Sequence, residues 1–87
     1  MRSVWKYTLR PGLQSFGIPQ GAVILHVHEQ LGLVCLWALV EPEERQSERT
    51  FDVVATGQQF DLLGKCVYIG TVHLDGGSLV FHVFEIE

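Results

Sequence analysis

Residues 22–40 read AVILHVHEQLGLVCLWALV, and this stretch decides the fold class. Its first part, Ala22–Glu29, alternates side chains with a period of two, which predicts a β-strand. The second part, Leu33–Val40, is apolar at every position and too short for a typical globular helix, so it predicts a central strand covered on both faces. Gly32 lies between them and can take the positive φ of a tight loop, so the two strands are expected to form a hairpin.

Outside this stretch, glycine and proline cut the chain into short pieces, which favours strands. Asp75–Ser78 (DGGS) is a strong hairpin signal, and Gln58–Leu63 could form one helical turn closed by Gly64. The predicted fold is all-β, or β-rich α+β with one short helical turn, as a small antiparallel meander that forms a barrel or sandwich. Its other strands are predicted at Val4–Leu9, around Phe16, and at Arg49–Ala55, Cys66–Leu74 and Leu79–Ile86.

Length and composition narrow the class of protein further. Eighty-seven residues are enough for a single domain, residues 1–87, and 47% hydrophobic residues exclude a disordered chain. No apolar run reaches the roughly 18 residues of a membrane-spanning helix, and we expect an intracellular protein without a membrane partner. The net charge of −4 argues against binding duplex nucleic acid. Glu41–Glu48 (EPEERQSE) is predicted to be an exposed acidic loop.

Several of the predicted strands are apolar on both faces. A domain of this size has enough mass to cover only one face of each strand well. We therefore expect self-association, most simply as a symmetric homodimer.

The residues suited to catalysis or metal binding are isolated from one another in the sequence. His26 and His28 share a strand face, and His73 or His82 could join them around zinc or iron, but half-buried histidines with one hydrogen bond each are the favoured interpretation. Cys66 follows Lys65 and could be a reactive thiol, although a core cysteine is favoured. We predict no metal, no cofactor and no enzymatic activity.

The sequence contains more residues suited to binding an anion or a nucleotide than residues suited to catalysis or metal binding. Arg49 and the Thr56–Gly57 turn could take a phosphate, and the rings of Trp5, Tyr7 and Trp37 could stack a base. Each also has a structural interpretation, in which Trp37 belongs to the core and Arg49 pairs with a neighbouring carboxylate.

A set of short segments spans nearly the whole chain and carries a resemblance to a known family: Trp5–Leu9, Ile24–Val27, Leu36–Pro42, Arg49, Phe51, Thr56–Gly57, Tyr68–Thr71 and Leu79–Glu85. In these segments the chain resembles a family of small proteins of unassigned function encoded by tailed bacteriophages and prophages. That family's pattern combines YKYPL, ILHV followed by Gln-Asn-Gly, LWALVDP, an Arg-x-Phe strand, a Thr-Gly turn, YIGT and VFHVFE. This sequence departs from it at Thr8, Leu31 and Glu41, where proline, asparagine and aspartate are usual.

The resemblance implies a phage accessory protein in the host bacterial cytoplasm that counters host defence. One hypothesis is a homo-oligomeric sponge that sequesters a nucleotide-derived immune signal, of the cyclic nucleotide or ADP-ribose type, without catalysis. Its implied ligand-binding residues are Arg49 and Thr56–Gly57 for phosphate, Trp5 and Tyr7 for the base, and His26 or Gln30 for the ribose.

Two other hypotheses stay open beside the sponge. The protein could be an inhibitor of a host defence complex, such as an anti-CRISPR protein or a nuclease antagonist, acting through the acidic loop 41–48. It could also be a structural or regulatory dimer without a ligand.

Overall fold

The computed structural model describes residues 1–60 and 64–87. Two antiparallel sheets pack face to face, so the predicted all-β fold is confirmed, with the sandwich rather than a closed barrel. The predicted meander is wrong, because strands that are not consecutive in the sequence pair with each other in both sheets. One sheet has three strands in the order β1-β4-β3, and the other has four in the order β2-β5-β7-β6. The strands are β1 Ser3–Leu9, β2 Gly12–Pro19, β3 Val23–Gln30, β4 Leu33–Val40, β5 Gln46–Ala55, β6 Cys66–Leu74 and β7 Leu79–Ile86.

Both predicted hairpins are present. β3 and β4 pair antiparallel up to Gln30 and Leu33, and the turn between them places Leu31 at φ 54° and Gly32 at φ 78°. β6 and β7 are joined through a short 3-10 turn, Asp75–Gly77, with Gly76 and Gly77 also at positive φ. Positive φ at both central residues suits the right-handed twist of a hairpin, which explains the glycines.

The core lies between the two sheets and is built from alternate residues of the strands. On the central strand β4, Val34, Leu36, Ala38 and Val40 face inward, where they meet Phe51 and Val53 of β5 and Val83 of β7. Because side chains alternate along a strand, the intervening residues of β4 face away from the other sheet.

The two sheets approach each other closely at the edge formed by β3 and β6. A Cβ atom built on Gly70 would lie 2.7 Å from Cγ2 of Val27, so only glycine fits there without a shift. Each of these edge strands carries a register irregularity, between Ile24 and His26 in β3 and between Tyr68 and Gly70 in β6. A bulge bends an edge strand and interrupts its pairing. The two irregularities are therefore consistent with β3 and β6 belonging to separate sheets at this edge.

Three predicted boundaries differ from the structure. The acidic loop 41–48 is shorter, because β5 already begins at Gln46 and pairs with Pro19 of β2. The predicted helical turn at 58–63 lies partly outside the described residues, and residues 58–60 are not helical. The strand around Phe16 is a full eight residues, β2. Within the described ranges, the fold contains no helix with the length and apolar character needed to cross a bilayer.

Candidate functional site

The predicted base-stacking residues Trp5 and Tyr7 lie on the inward face of β1. Tyr7 stacks on Phe16 with ring centroids 5.2 Å apart, and Phe16 stacks on Phe51 at 5.3 Å. Burial raises the pKa of the Tyr7 phenol above its ordinary value of 10.0. Trp5, nearer the end of the strand, keeps 37% of its surface exposed. Tyr7 is therefore part of an aromatic stack between the sheets, and its ring packs against protein.

Arg49, the predicted phosphate ligand, also points inward. Its Nε donates to Oε2 of Glu85 at 2.6 Å, its Nη2 donates to Oε1 of Glu85 at 2.8 Å, and its Nη1 donates to the carbonyl of Ala22 at 2.6 Å. The hydrogen bond to Glu85 raises the pKa of the Arg49 guanidinium. Arg49 therefore pairs with Glu85 on β7, and not, as expected, with a carboxylate close to it in the sequence. Three of the five guanidinium N–H donors are engaged, so we assign Arg49 a structural role.

His26 and Gln30, the predicted ribose ligands, lie on the outward face of the three-stranded sheet. Gln30 Oε1 accepts a hydrogen bond from Nζ of Lys6 at 2.6 Å, and the ring of His26 lies 5.8 Å from that of His28. His82 faces outward from the other sheet, so the histidines considered for a metal site do not meet. No group of three or more potential metal ligands occurs in the part of the chain that the structure describes. The predicted ligand-binding residues are therefore spread over three separate places.

One outward-facing cluster does combine polar and aromatic groups, and it contains the predicted Thr56–Gly57 turn. Thr56 follows the end of β5, and its Oγ1 lies 2.6 Å from Nε2 of His82 on β7. The other ring nitrogen of His82, Nδ1, lies 3.0 Å from Oγ1 of Thr71 on β6, which in turn hydrogen-bonds to the hydroxyl of Tyr68. His82 is thus held between two threonine hydroxyls.

The donor and the acceptor of each of these hydrogen bonds can be assigned by starting from Thr56, at one end of the series. Thr56 Oγ1 donates to the carbonyl of Val80 at 3.4 Å, so its oxygen is left to accept from a protonated Nε2 of His82. Nδ1 then accepts from Thr71, and Thr71 accepts from Tyr68. This assignment, with Nε2 as donor and Nδ1 as acceptor, satisfies every link of the hydrogen-bonded chain.

Aromatic rings flank this hydrogen-bonded chain on the same face of the sheet. Phe84, two residues after His82, lies 4.6 Å from the ring of Phe60 and 5.6 Å from the ring of Tyr68. Phe84 pairs with Tyr68 across β6 and β7, which sets these two rings side by side. Aromatic groups next to hydrogen-bonding groups are the composition typical of small-molecule sites.

Between these groups lies a depression of about 290 Å³, which we call the His82 cleft. Apart from His82, no titratable side chain lines it among the described residues. Gln58 at its rim accepts a hydrogen bond from the amide of Ala55 and retains its own amide donors. The cleft is lined by Val54, Ala55, Thr56, Gly57, Gln58, Phe60, His82 and Phe84.

The sequence patterns predict only the Thr56–Gly57 turn of this cleft as a ligand-binding element. They offer His82 only as a metal ligand or a half-buried core residue, and they do not single out Phe60, Tyr68 and Phe84 as site residues. The signal was present in Leu79–Ile86 (LVFHVFEI), because His82 and Phe84 share one side of the period-two alternation. Their neighbours Thr56 and Tyr68 come from distant segments and could not be assigned to the same face without the strand order.

Comparison with known proteins identifies the family. No curated protein and no solved structure matches the chain significantly. A family model described as "Domain of unknown function (DUF7352)" matches residues 1–87, the whole chain. The chain therefore belongs to the DUF7352 family.

Proposed function

We propose that this protein binds and sequesters a nucleotide-derived signalling molecule without turning it over. On this proposal it is a phage-encoded anti-defence protein that acts as a homo-oligomer in the host bacterial cytoplasm. The observation that supports binding is the His82 cleft, where the tilted rings of Phe60 and Phe84 lie beside a hydrogen-bonded chain of hydroxyl and imidazole groups.

The cleft suits the base and ribose of such a ligand. A base could pack against the ring of Phe84 or Phe60, and stacking on an aromatic side chain is worth about 1–3 kcal/mol per base. Thr56, Gln58 and His82 supply hydrogen-bonding groups at its edge. At about 290 Å³, the cleft is slightly smaller than the roughly 300–1,000 Å³ usual for ligand pockets, so it suits one nucleoside unit of a larger ligand.

The phosphate is not assigned to Arg49, whose guanidinium is engaged by Glu85 and Ala22. No charged side chain lines the cleft among the described residues, and the chain carries a net charge of −4, so ligands with little charge on each phosphate are favoured. Among nucleotide-derived signals, this ranks cyclic nucleotides and ADP-ribose derivatives, with one charge per phosphate, above nucleoside triphosphates.

Thermal denaturation with AMP, cyclic AMP, a cyclic dinucleotide and ADP-ribose tests this proposal. A ligand at about 100 times its Kd stabilises by about 2.7 kcal/mol, which raises the Tm of a domain of this size by roughly 10 °C or more. The variants His82→Ala and Phe84→Leu should lose most of that increase. Ser15→Ala is the matched control, because it removes a hydroxyl pair with Thr50 on the outer face of the same sheet, outside the cleft.

A second measurement covers ligands that this panel omits. The protein is expressed in bacteria beside an active nucleotide-signalling enzyme, purified and heated, and the released small molecules are analysed by mass spectrometry. An intact nucleotide at close to one per chain supports sequestration. Protein that releases no nucleotide and gains no stability from any ligand of the panel overturns the proposal.

A second candidate function is inhibition of a host defence complex through the acidic segment, and the exposure of Glu43 and Glu44 favours it. The segment is partly neutralised, because the Met1 ammonium lies 3.1 Å from Glu43 and 3.4 Å from Glu41. Replacing Glu43 and Glu44 with lysine should abolish co-purification of a host protein if this candidate is correct. The same replacement should leave ligand-dependent stabilisation unchanged if the sponge proposal is correct.

A further inference from the structure

A pocket of about 380 Å³ opens between the two sheets at one end of the sandwich. Three turns border it: the β1–β2 turn at residues 10–11, the β3–β4 turn at Gly32, and the β6–β7 turn. Its volume lies within the roughly 300–1,000 Å³ of ligand pockets, and it shares no lining residue with the His82 cleft. We call it the end pocket, and its apolar side chains include Leu9, Leu33, Val34, Leu74, Leu79 and Phe81.

The apolar walls of the end pocket come from both sheets. Leu9 and Val34, which pair across β1 and β4, are buried, and Leu74 of β6 lines the pocket from the other sheet. Leu33 and Leu79, the first residues of β4 and β7, line the same pocket and remain 51% and 50% exposed. Two half-exposed leucines from opposite sheets leave apolar surface that a ligand in the pocket would remove from water.

Arg10 is the one charged residue that lines the end pocket among the described residues. The buried side chain of Gln14 holds its backbone in place, because Oε1 accepts from the amide of Arg10 at 3.0 Å and Nε2 donates to its carbonyl at 2.6 Å. Arg10 is exposed, and within residues 1–60 and 64–87 it forms no ion pair. An arginine in this position can accept the carboxylate of a ligand in a bidentate pair.

Apolar walls beside one cation favour an amphipathic ligand with a single negative charge. A carboxylate matches the planar guanidinium of Arg10 in charge and in geometry. A doubly charged head group is disfavoured because the whole chain carries a net charge of −4. The concave shape between two sheets and three turns suits a small molecule better than a flat protein surface.

We propose that the end pocket binds a medium-chain aliphatic carboxylate, with the chain between the sheets and the carboxylate at Arg10. Affinity should rise about fourfold with each methylene group added to the chain, until the pocket is full. This inference is independent of the proposed nucleotide binding, because the two sites have different lining residues, and either can fail without the other.

NMR titration of the isotope-labelled full chain with hexanoate, octanoate and decanoate tests the site. We expect one carboxylate per chain, with the largest shifts at the amides of Leu9, Val34 and Leu74 and an affinity that increases with chain length. Octanol and octylammonium carry the same apolar chain without the negative charge. Each should bind about fivefold or more weakly than octanoate.

Two variants separate the contributions of the walls and of the charge. Leu79→Asn should weaken octanoate binding about fivefold or more, and Leu13→Asn is its matched control, because Leu13 is an exposed leucine of β2 outside the pocket. Arg10→Gln should lower the affinity for octanoate to that for octanol. Arg45→Gln, at an exposed arginine before β5, should leave the affinity unchanged. Circular dichroism of each variant confirms that a loss of binding is not a loss of fold.

Every outcome bears on the proposal. Carboxylate binding that depends on Leu79 and Arg10, and not on Leu13 and Arg45, supports it. The absence of saturable shifts with decanoate at millimolar concentration overturns it. Shifts centred on the His82 cleft overturn it as well, because the ligand then binds elsewhere. Equal affinities for octanoate and octanol overturn the assignment to a carboxylate, since Arg10 then contributes nothing.

Discussion

Arg49 of β5 and Glu85 of the neighbouring strand β7 form a bidentate ion pair, with N–O distances of 2.6 Å and 2.8 Å. The third hydrogen bond of Arg49, to the carbonyl of Ala22, reaches the segment just before β3 in the other sheet. The guanidinium thus joins β5, β7 and the three-stranded sheet at one end of the sandwich. Its geometry is that of a bidentate clamp, which a lysine cannot reproduce.

Arg49→Ala should destabilise the protein by about 2–3 kcal/mol, measured by urea denaturation. A fully buried pair costs about 3–5 kcal/mol when one partner is removed, and here the two side chains remain 22% and 18% exposed. Arg49→Lys should recover only part of the loss. Arg45→Ala, an exposed arginine before β5, is the control and should change stability by less than about 0.5 kcal/mol. Equal effects of the two alanine variants would contradict the clamp.

Gly70→Ala should destabilise the domain by about 1–3 kcal/mol, because the new methyl group would overlap Val27 across the two sheets. The decisive measurement is the double-mutant cycle with Val27→Ala. Shortening Val27 makes room for the methyl group, so Gly70→Ala should cost less in that background. Strictly additive effects would show that the close approach of β6 and β3 is not what requires glycine.

Leu31→Asn should stabilise the protein by about 1 kcal/mol. Leu31 is 91% exposed and has a φ of 54°, a conformation that costs most residues about 1–2 kcal/mol and that asparagine tolerates better. Leu13→Asn is the control, since Leu13 is an exposed leucine within β2 and gains nothing from asparagine. A Tm for Leu31→Asn at or below that of the wild type would contradict the assigned turn.

Stability should fall at high pH in part because of Tyr7. Burial raises the pKa of Tyr7 in the folded protein above its ordinary value of 10.0, so its phenol ionises more readily in the unfolded chain. The resulting stabilisation is fully present below pH 10 and is lost as the pH rises through the higher folded pKa. Tyr7→Phe keeps the ring on Phe16 and should show a shallower decline in unfolding free energy above pH 10. Parallel curves for the two proteins would place the Tyr7 hydroxyl in solvent.

Much of the fold could be predicted because its signals are local. The uninterrupted apolar run of Leu33–Val40 indicated a central strand, and Gly32 and Gly76–Gly77 marked the two hairpins. The period-two alternation in Val4–Leu9 places Trp5, Tyr7 and Leu9 on one side of the strand, and their aromatic and aliphatic character indicates that this is the core side. The inward position of Tyr7 confirms that interpretation, and it argues against the use of the same ring to stack a ligand.

The site could not be predicted because its members come together only through strand order. Arg49 lies on the same side of β5 as Phe51, which hinted at an inward position, but its partner Glu85 is 36 residues away. Thr56, Thr71 and His82 are similarly separated in sequence and adjacent in the sheet. Pairing of β5 with β7 and of β7 with β6 is set by the packing of the whole domain, which no short pattern encodes.

NMR titration of the isotope-labelled protein with ADP-ribose and with cyclic AMP tests most directly whether the His82 cleft holds a nucleoside unit, as proposed. We expect saturable shifts at one ligand per chain, largest at the amides of Thr56 and Gly57 and at the His82 ring, with little change at Tyr7 or on the outward face of the three-stranded sheet. Shifts concentrated around Trp5 and Tyr7 or on that outward face, or no shift with either ligand at millimolar concentration, would contradict the proposed binding.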